Sequence, residues 1–310
     1  MARRADRPGA LSLSIIGAGR LGSALALALS AKGFEIRAIV SRRISHARRA
    51  ARLLEADTEA LSLAQLSHLK PSIKPSSLIF ITTPDDAIEA TAARLAASLG
   101  WSGGVALHAS GALSSEVLRA LREKGFQTGS MHPLISVSDA RAGAESLSRA
   151  HFCIEGEPRA VSLARRLVRA LGGRSFSIRT KDKALYHAAA VMTSGHTVAL
   201  FDLATELLDH CGLSKERARA ALLPLLASTL ENLSRHAPAR ALTGTYARAD
   251  LSTVNKHLAA LHNAQTGEAL QAYALLGLRS VELARENGAD PATLRQIVEI
   301  LQKTMKSKKC

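Results

Sequence analysis

The sequence predicts an α/β domain followed by an all-α one: an N-terminal Rossmann-type parallel sheet, then a helical C-terminal domain. Three observations carry this. Strand-like and helix-like segments alternate from residue 11 to about residue 180. The first strand runs into Gly17-Ala18-Gly19-Arg20-Leu21-Gly22, and a helix pattern follows directly. Beyond Lys181, strand signals cease and helical periodicity continues nearly to the end. The 310 residues suffice for two domains at roughly 150 residues each.

Leu11 to Ile16 alternates and then becomes continuously apolar, as a strand entering a buried sheet does. Ser23 to Lys32 reads as a helix closed by Gly33. Phe34 to Val40 predicts a second strand, followed by a basic helix near Ser45–Leu54 and a weak short segment near Leu61. Leu78 to Thr83 is a strong strand that Pro84 stops. Asp85 and Asp86 then open a helix, in the first turn, where the helix dipole favours acid. Val105–Ala109 and Phe126–Met131 predict further strands with a helix over Ser114–Lys124 between them. His151–Glu155 and Arg174–Ile178 predict two short strands around a helix near 159–171. The helical half divides into about 182–211, 214–236, 252–263, 265–287 and 290–304. Its breaks fall at Gly212, at 237–250 and at Gly288-Ala289-Asp290-Pro291.

Apolar residues at 47% and charged residues at 22% exclude a disordered chain. No stretch approaches the roughly 20 apolar residues of a membrane span, and the basic first nine residues lack the pattern of a secretory signal. Cys153, Cys211 and Cys310 lie far apart without CxxC spacing, so neither a disulfide framework nor a metal site is expected. These features together predict a cytoplasmic protein with no membrane partner. The formal charge of +15 attracts anions of any kind, whether nucleic acid, acidic lipid or a phosphorylated cofactor. Aromatic content of 3% with one Trp gives little surface for base stacking, which weighs against nucleic acid as the partner.

The glycine pattern gains its specificity from its context of strand, turn and helix. Gly17 permits the tight turn, Gly19 lets the backbone approach a pyrophosphate, and Gly22 lets helix and strand pack closely. The helix start then offers free N–H groups to the phosphates, so Gly17, Ala18, Gly19, Arg20, Leu21 and Gly22 are candidate cofactor-binding residues. At the end of the second strand an NAD site places an acid; this chain has Ser41-Arg42-Arg43. A hydroxyl and two guanidiniums suit a 2′-phosphate, which points to NADP(H). The competing reading is a basic solvated helix, since Arg48, Arg49 and Arg52 follow. Ligands in such sheets sit beyond the carboxyl ends of the strands. Thr82, Thr83 and Pro84 stand there after the fourth strand. His108 and Ser110 follow the fifth, and His132 follows the sixth.

These marks resemble the bacterial proteins that join a Rossmann-like domain to a C-terminal domain of unknown function. Those proteins are relatives of pyrroline-5-carboxylate reductase, of the deazaflavin-dependent NADP oxidoreductase and of the 6-phosphogluconate dehydrogenase group. The resemblance spans about residues 12–278. It rests on the glycine turn, Thr83-Pro84-Asp85, His108-Ala109-Ser110-Gly111 and His132-Pro133-Leu134, then on Tyr186-His187-Ala188-Ala189-Ala190-Val191, Leu223-Pro224-Leu225 and Thr243-Gly244. It implies a helical domain of the 6-phosphogluconate dehydrogenase C-terminal-like type, used for homodimerisation, and an active site in the cleft between domains. The chain departs from the family at Gly195, where an Asn is usual. A second departure is Thr243-Gly244-Thr245 and Arg248-Ala249-Asp250, where the family carries Thr-Gly-Pro and Arg-Gly-Asp. The expected division is a basic tail over 1–10, a Rossmann NADP-binding domain over 11–180, a helical dimerisation and substrate domain over 181–304, and a basic tail over 305–310.

On the first long helix, His187, Val191, Ser194 and Val198 share a face, with Tyr186, Thr193 and Thr197 beside it. The expected chemistry is hydride transfer between NADP(H) and a small carbonyl or imine substrate. His187, His132 and His108 are the candidate acids, and Ser110 and Thr243 the positioning groups. Lys183 is followed at four residues by His187 rather than Asn, which disfavours the hydroxyacid dehydrogenase branch. The alternative is a cofactor-binding sensor or scaffold without turnover, a reading kept open by Gly195.

Overall fold

The computed structural model describes residues 11–54, 57–69 and 77–306. The expected tail over 1–10 and the last residues of the expected tail over 305–310 lie outside them. Met305 and Lys306 still belong to the final helix.

The chain divides into two compact units, 1–192 and 193–310. The first is built on an eight-stranded sheet of order β3-β2-β1-β4-β5-β6-β7-β8. In chain order the strands are β1 (Ser12–Ile16), β2 (Glu35–Ser41), β3 (Glu59–Ser62), β4 (Ser77–Ile81), β5 (Gly104–His108), β6 (Phe126–Pro133), β7 (His151–Gly156) and β8 (Arg174–Phe176). The helices between them are α1 (Arg20–Ala31), α2 (Ile44–Ala51), α3 (Asp85–Ser98), α4 (Arg119–Glu123), α5 (Ala140–Leu147) and α6 (Pro158–Leu171); α7 (Lys183–Thr193) follows β8. β1 to β6 pair in parallel, whereas β7 runs antiparallel to β6 and carries β8 with it. The expected all-parallel rhythm therefore ends at β6.

Alternation along the strands divides the core between the two faces of the sheet. Leu78 and Phe80 of β4 join Leu25 and Leu29 of α1 and Ala164 and Leu167 of α6. Ile79 and Ile81, one residue out of phase, join Ile88, Ala92 and Leu95 of α3. Burying apolar side chains on both faces explains why these strands read as continuous hydrophobic runs.

Three differences from the sequence reading have local causes. α5 is an additional helix, started where Asp139 accepts hydrogen bonds from the N–H groups of Arg141 (2.9 Å) and Ala142 (3.0 Å), the arrangement of an N-cap. The helix expected over Ser114–Lys124 is a 3₁₀ turn, Ser115–Leu118, running into the short α4. The helix expected over 182–211 breaks at Ser194, where ψ is −73°, into α7 and α8 (Gly195–His210).

The unit boundary also falls later than residue 180. The start of α7 is fastened to the sheet by Lys183 and Tyr186, so it counts with the first unit. The second unit comprises α8, α9 (Lys215–Arg235), α10 (Pro238–Ala241), α11 (Gly244–Ala247), α12 (Leu251–Asn263), α13 (Gly267–Glu286) and α14 (Pro291–Lys306). α10 and α11 are short helices in the segment expected as a loop. The core of this unit gathers Val254, Ala274, Val281, Leu294, Ile297 and Leu301. Among the described residues no helix is long and apolar enough to cross a membrane.

Candidate functional site

The glycine turn lies at the carboxyl end of β1 and is tied to its neighbours on both sides. Gly17 adopts φ +126°, a value that favours glycine. Its N–H donates to Val40 O of β2 at 2.8 Å, and its carbonyl accepts from Thr82 Oγ1 at 2.8 Å. A Cβ on Gly17 would lie 2.7 Å from the Thr82 carbonyl carbon, and one on Gly22 would overlap Gly17 O and Thr82 Oγ1. Gly19 is different. It is the N-cap of α1, no side chain caps it, and a Cβ there would meet nothing within 4 Å. The turn is thus closed against the protein at Gly17 and Gly22 and open to solvent at Gly19. That leaves a bare helix start with no acidic residue in its first turn, the arrangement that accepts an anion.

Ala18 and Leu21 rest against the core, and Arg20 is exposed. Ser41 ends β2, while Arg42 and Arg43 follow it exposed; Arg43 is the N-cap of α2. Thr83 and Pro84 follow β4, and Thr83 Oγ1 is buried without a hydrogen-bond partner. The expected cofactor residues are therefore brought to neighbouring strand ends of one unit.

A polar cluster forms further along the same sheet. Ser130 and His132 lie two apart on β6, opposite Glu155 and Cys153 of β7, so all four occupy one face. α7 lays Lys183, Tyr186 and His187 against that face. Lys183, 2% exposed, donates to Ser110 O at 2.9 Å and to Ser130 Oγ at 3.1 Å, with its Nζ 5.8 Å from the centre of the Tyr186 ring. Tyr186 Oη and His132 Nδ1 share a hydrogen bond of 2.7 Å. The His132 and His187 rings meet edge to face with centroids 5.6 Å apart. Gly111 makes that meeting possible, because a Cβ on it would overlap His187 Nδ1 and come within 2.9 Å of His132 Cε1 and Nε2. His187 Nδ1 is buried without a hydrogen-bond partner.

The electrostatics separate the histidines. Burial, reinforced by the Lys183 charge, pushes His132 down to about 4. It is therefore a neutral imidazole near pH 7, able to accept or pass a proton. Tyr186, raised by burial and by Cys153, keeps its phenol proton. With Tyr186 as donor, His132 Nδ1 accepts and Nε2 carries the ring proton.

His108 is pushed down further, to about 3, by burial and then by Lys183. Its Nδ1 accepts from Ser110 N–H at 3.1 Å, and its Nε2–H donates to Ser114 O at 3.1 Å. Both ring nitrogens are spent on the backbone and the side chain is fully buried. Of the three candidate acids, His108 is thus the one whose ring nitrogens are both occupied within its own loop. Ser110 is likewise engaged: its Oγ donates to Asp85 Oδ2 at 2.7 Å and accepts from the N–H groups of Ala112 (3.1 Å) and Leu113 (2.9 Å). Thr243 lies in the helical unit, at the N-cap of α11.

Sequence reading passed over Ser130 and Glu155, named Asp85 and Gly111 only as members of motifs, and used Lys183 only to set a branch aside. A signal for the first two existed, since Thr128, Ser130 and His132 alternate with Gly129 and Met131 on an otherwise apolar strand, as Cys153 and Glu155 do on β7. Glu155 is buried and accepts from Ser115 N–H (2.7 Å), Ser115 Oγ (3.1 Å) and Thr180 Oγ1 (3.3 Å). Burial lowers the Lys183 ammonium, while nearby Cys153, Glu155 and Asp85 oppose that shift.

Residues 3–133 match the model of a Rossmann-like domain, and residues 150–280 match that of a domain of unknown function, DUF2520. Solved structures share the fold. A Thermotoga maritima protein matches with a TM-score of 0.63 and 23% identity, over 96% of this chain and 100% of its own. A candidate NADP oxidoreductase from Bacteroides fragilis gives 0.65 and 22%, over 95% and 98%. A reductive aminase from Aspergillus terreus, in complex with NADPH and ethyl levulinate, gives 0.54 and 16%, over 97% and 95%. A search of curated proteins gave no match. The chain thus joins a Rossmann-like domain, which carries the glycine turn, to a DUF2520 domain whose match begins at β7 and runs into the helical unit.

Proposed function

We propose that this protein is an NADP(H)-dependent oxidoreductase acting on a small carbonyl or imine compound. The observation that carries this reading is the bare start of α1, uncapped and open at Gly19, on a sheet where His132 of β6 meets His187 of α7. Gly17 to Gly22 would hold the pyrophosphate through backbone N–H groups, and Ser41, Arg42 and Arg43 a 2′-phosphate. The nucleotide, when bound, supplies the hydride. The described residues fit such a group, since the cradle is sterically open and exposed guanidiniums stand beside it.

The chain's own part is to handle a proton and to hold the reacting groups. His187, with a buried unpartnered Nδ1, is the first candidate to touch the substrate. His132, held by Tyr186, is the second. Lys183 positions the Ser110–Gly111 backbone beneath them. The Bacteroides fragilis and Aspergillus terreus proteins support the choice of chemistry by analogy of fold.

Calorimetry with NADPH and NADH, followed by a panel of keto acids, aldehydes and imines, tests the reading. NADPH binding and its oxidation by a panel member are expected. Failure to bind either nucleotide, or preference for NADH, overturns it, and tight NADPH binding without turnover favours a sensor.

We also propose a homodimer formed by the helical unit. On the 21-residue α9 only Ala218 is buried, while Leu223, Leu225, Leu230 and Leu233 are exposed; a lone domain rarely exposes so many aliphatic side chains together. Sedimentation is expected to give about twice the 32.8 kDa chain mass, and a single species at 32.8 kDa refutes it.

A further inference from the structure

Asp85 is the first residue of α3, one step after the Thr82-Thr83-Pro84 turn. That turn is fastened to the glycine cradle by Thr82, whose N–H donates to Ile16 O and whose Oγ1 donates to Gly17 O, both at 2.8 Å. On its other side, Asp85 Oδ2 accepts from Ser110 Oγ at 2.7 Å. Ser110 has its remaining polar atoms fixed in separate directions: N–H to His108 Nδ1, carbonyl to Lys183 Nζ, and hydroxyl oxygen to the N–H groups of Ala112 and Leu113. The Ser110 hydroxyl donates to the Asp85 carboxylate, and a hydrogen bond to a carboxylate is stronger and shorter than one between neutral groups. The next residue, Gly111, is the one whose missing side chain makes room for His187 Nδ1 and His132 Nε2. A small movement of the Ser110–Gly111 backbone therefore moves the surface against which both imidazoles rest.

We propose that Asp85 is a positioning residue: through Ser110 it fixes the Gly111 backbone, and thereby the relative placement of His132 and His187, from the turn that borders the cofactor cradle. This rests on the oxidoreductase reading only for its kinetic consequence, because the placement itself can be measured without ligand. Asp86 supplies the control. It is the neighbouring first-turn carboxylate, exposed to solvent, so its removal costs the same favourable interaction with the helix start without touching Ser110.

The test uses the full-length protein and the variants D85A, D85N, S110A, D85A/S110A and D86A. Imidazole C–H resonances of His132 and His187, titrated without nucleotide, are expected to shift in D85A and S110A and to stay at wild-type positions in D86A. Once a turnover substrate is in hand, D85A and S110A should each lower kcat about tenfold, a fraction of the roughly hundredfold that a 1 Å misplacement can cost. NADPH affinity should stay within about twofold of wild type. D85N, whose amide oxygen can accept from the same hydroxyl, should recover most of kcat. The double variant should be no worse than the worse single one, as expected for two groups acting through one bond. Unchanged histidine titration in D85A, equal changes in D86A, or additive losses in the double variant would overturn the proposal. If D85A does not fold, D85N and S110A decide by the same readings. Absence of NADPH binding in the wild type would defeat the oxidoreductase reading alone, leaving the ligand-free titration to decide the role of Asp85.

Discussion

Each of the three candidate histidines of the first unit has a fate set by what its two ring nitrogens meet. His108 has both engaged by backbone, His132 has one engaged by Tyr186, and His187 keeps a buried Nδ1 without a partner. His187→Ala is therefore expected to lower kcat by about 10²–10⁴-fold, the range of general acid–base groups, with NADPH affinity nearly unchanged; steady-state kinetics on any active substrate checks it, and wild-type turnover removes His187 from the role. Lys183→Met withdraws two donors, from Ser110 O and Ser130 Oγ, and one positive charge. The loss of those bonds should cost about 1–3 kcal/mol of stability, read by urea unfolding. In the same variant the His132 pKa should rise from about 4 toward its ordinary value, by part of the gap only, because burial is the larger cause of its depression. An unmoved titration in the NMR spectrum would contradict that account.

The elements proposed to bind the nucleotide are the shortest. The turn from Gly17 to Gly22 needs two positions without side chains for packing and one, Gly19, for access. Ser41-Arg42-Arg43 needs only to end β2 beside β1, which the parallel register delivers by pairing Ile16 with Val40. Arg42→Ala/Arg43→Ala is expected to raise the NADPH Kd about tenfold or more, since each charge-assisted bond contributes roughly 1.5–3 kcal/mol and about 1.4 kcal/mol is a factor of ten. The NADH Kd should change little. Calorimetry with both nucleotides measures the difference, and equal losses for the two would show that the arginines attract anions without reading the 2′-phosphate. Gly17, Gly19, Gly22 and the arginine pair were legible because these motifs are contiguous and their physics is local.

At the scale of the whole molecule, buried neutral histidines make stability depend on pH. His108 and His132 have folded values near 3 and 4, below the 6.5 of an unperturbed imidazole. The unfolded chain therefore takes up protons first as pH falls. Their contribution to stability is complete above about pH 6.5 and is lost progressively as pH falls toward 4 and then 3. Urea midpoints at pH 7 and pH 5 should show the loss, and His108→Gln should reduce it; a midpoint independent of pH would refute the assignment.

By itself, the sequence determined the order of the strands, the glycine cradle, the arginines after β2 and the start of the helical half, because each follows from periodicity or from a short contiguous motif. Only the tertiary structure decided that β7 reverses direction, that α7 belongs with the sheet, that both ring nitrogens of His108 meet partners in its own loop, and that Lys183, Ser130, Asp85 and Gly111 gather near His132 and His187. The last of these rests on hydrogen bonds between residues 25 to 73 positions apart and on close approaches at a residue with no side chain, and no local pattern of hydrophobicity encodes such contacts.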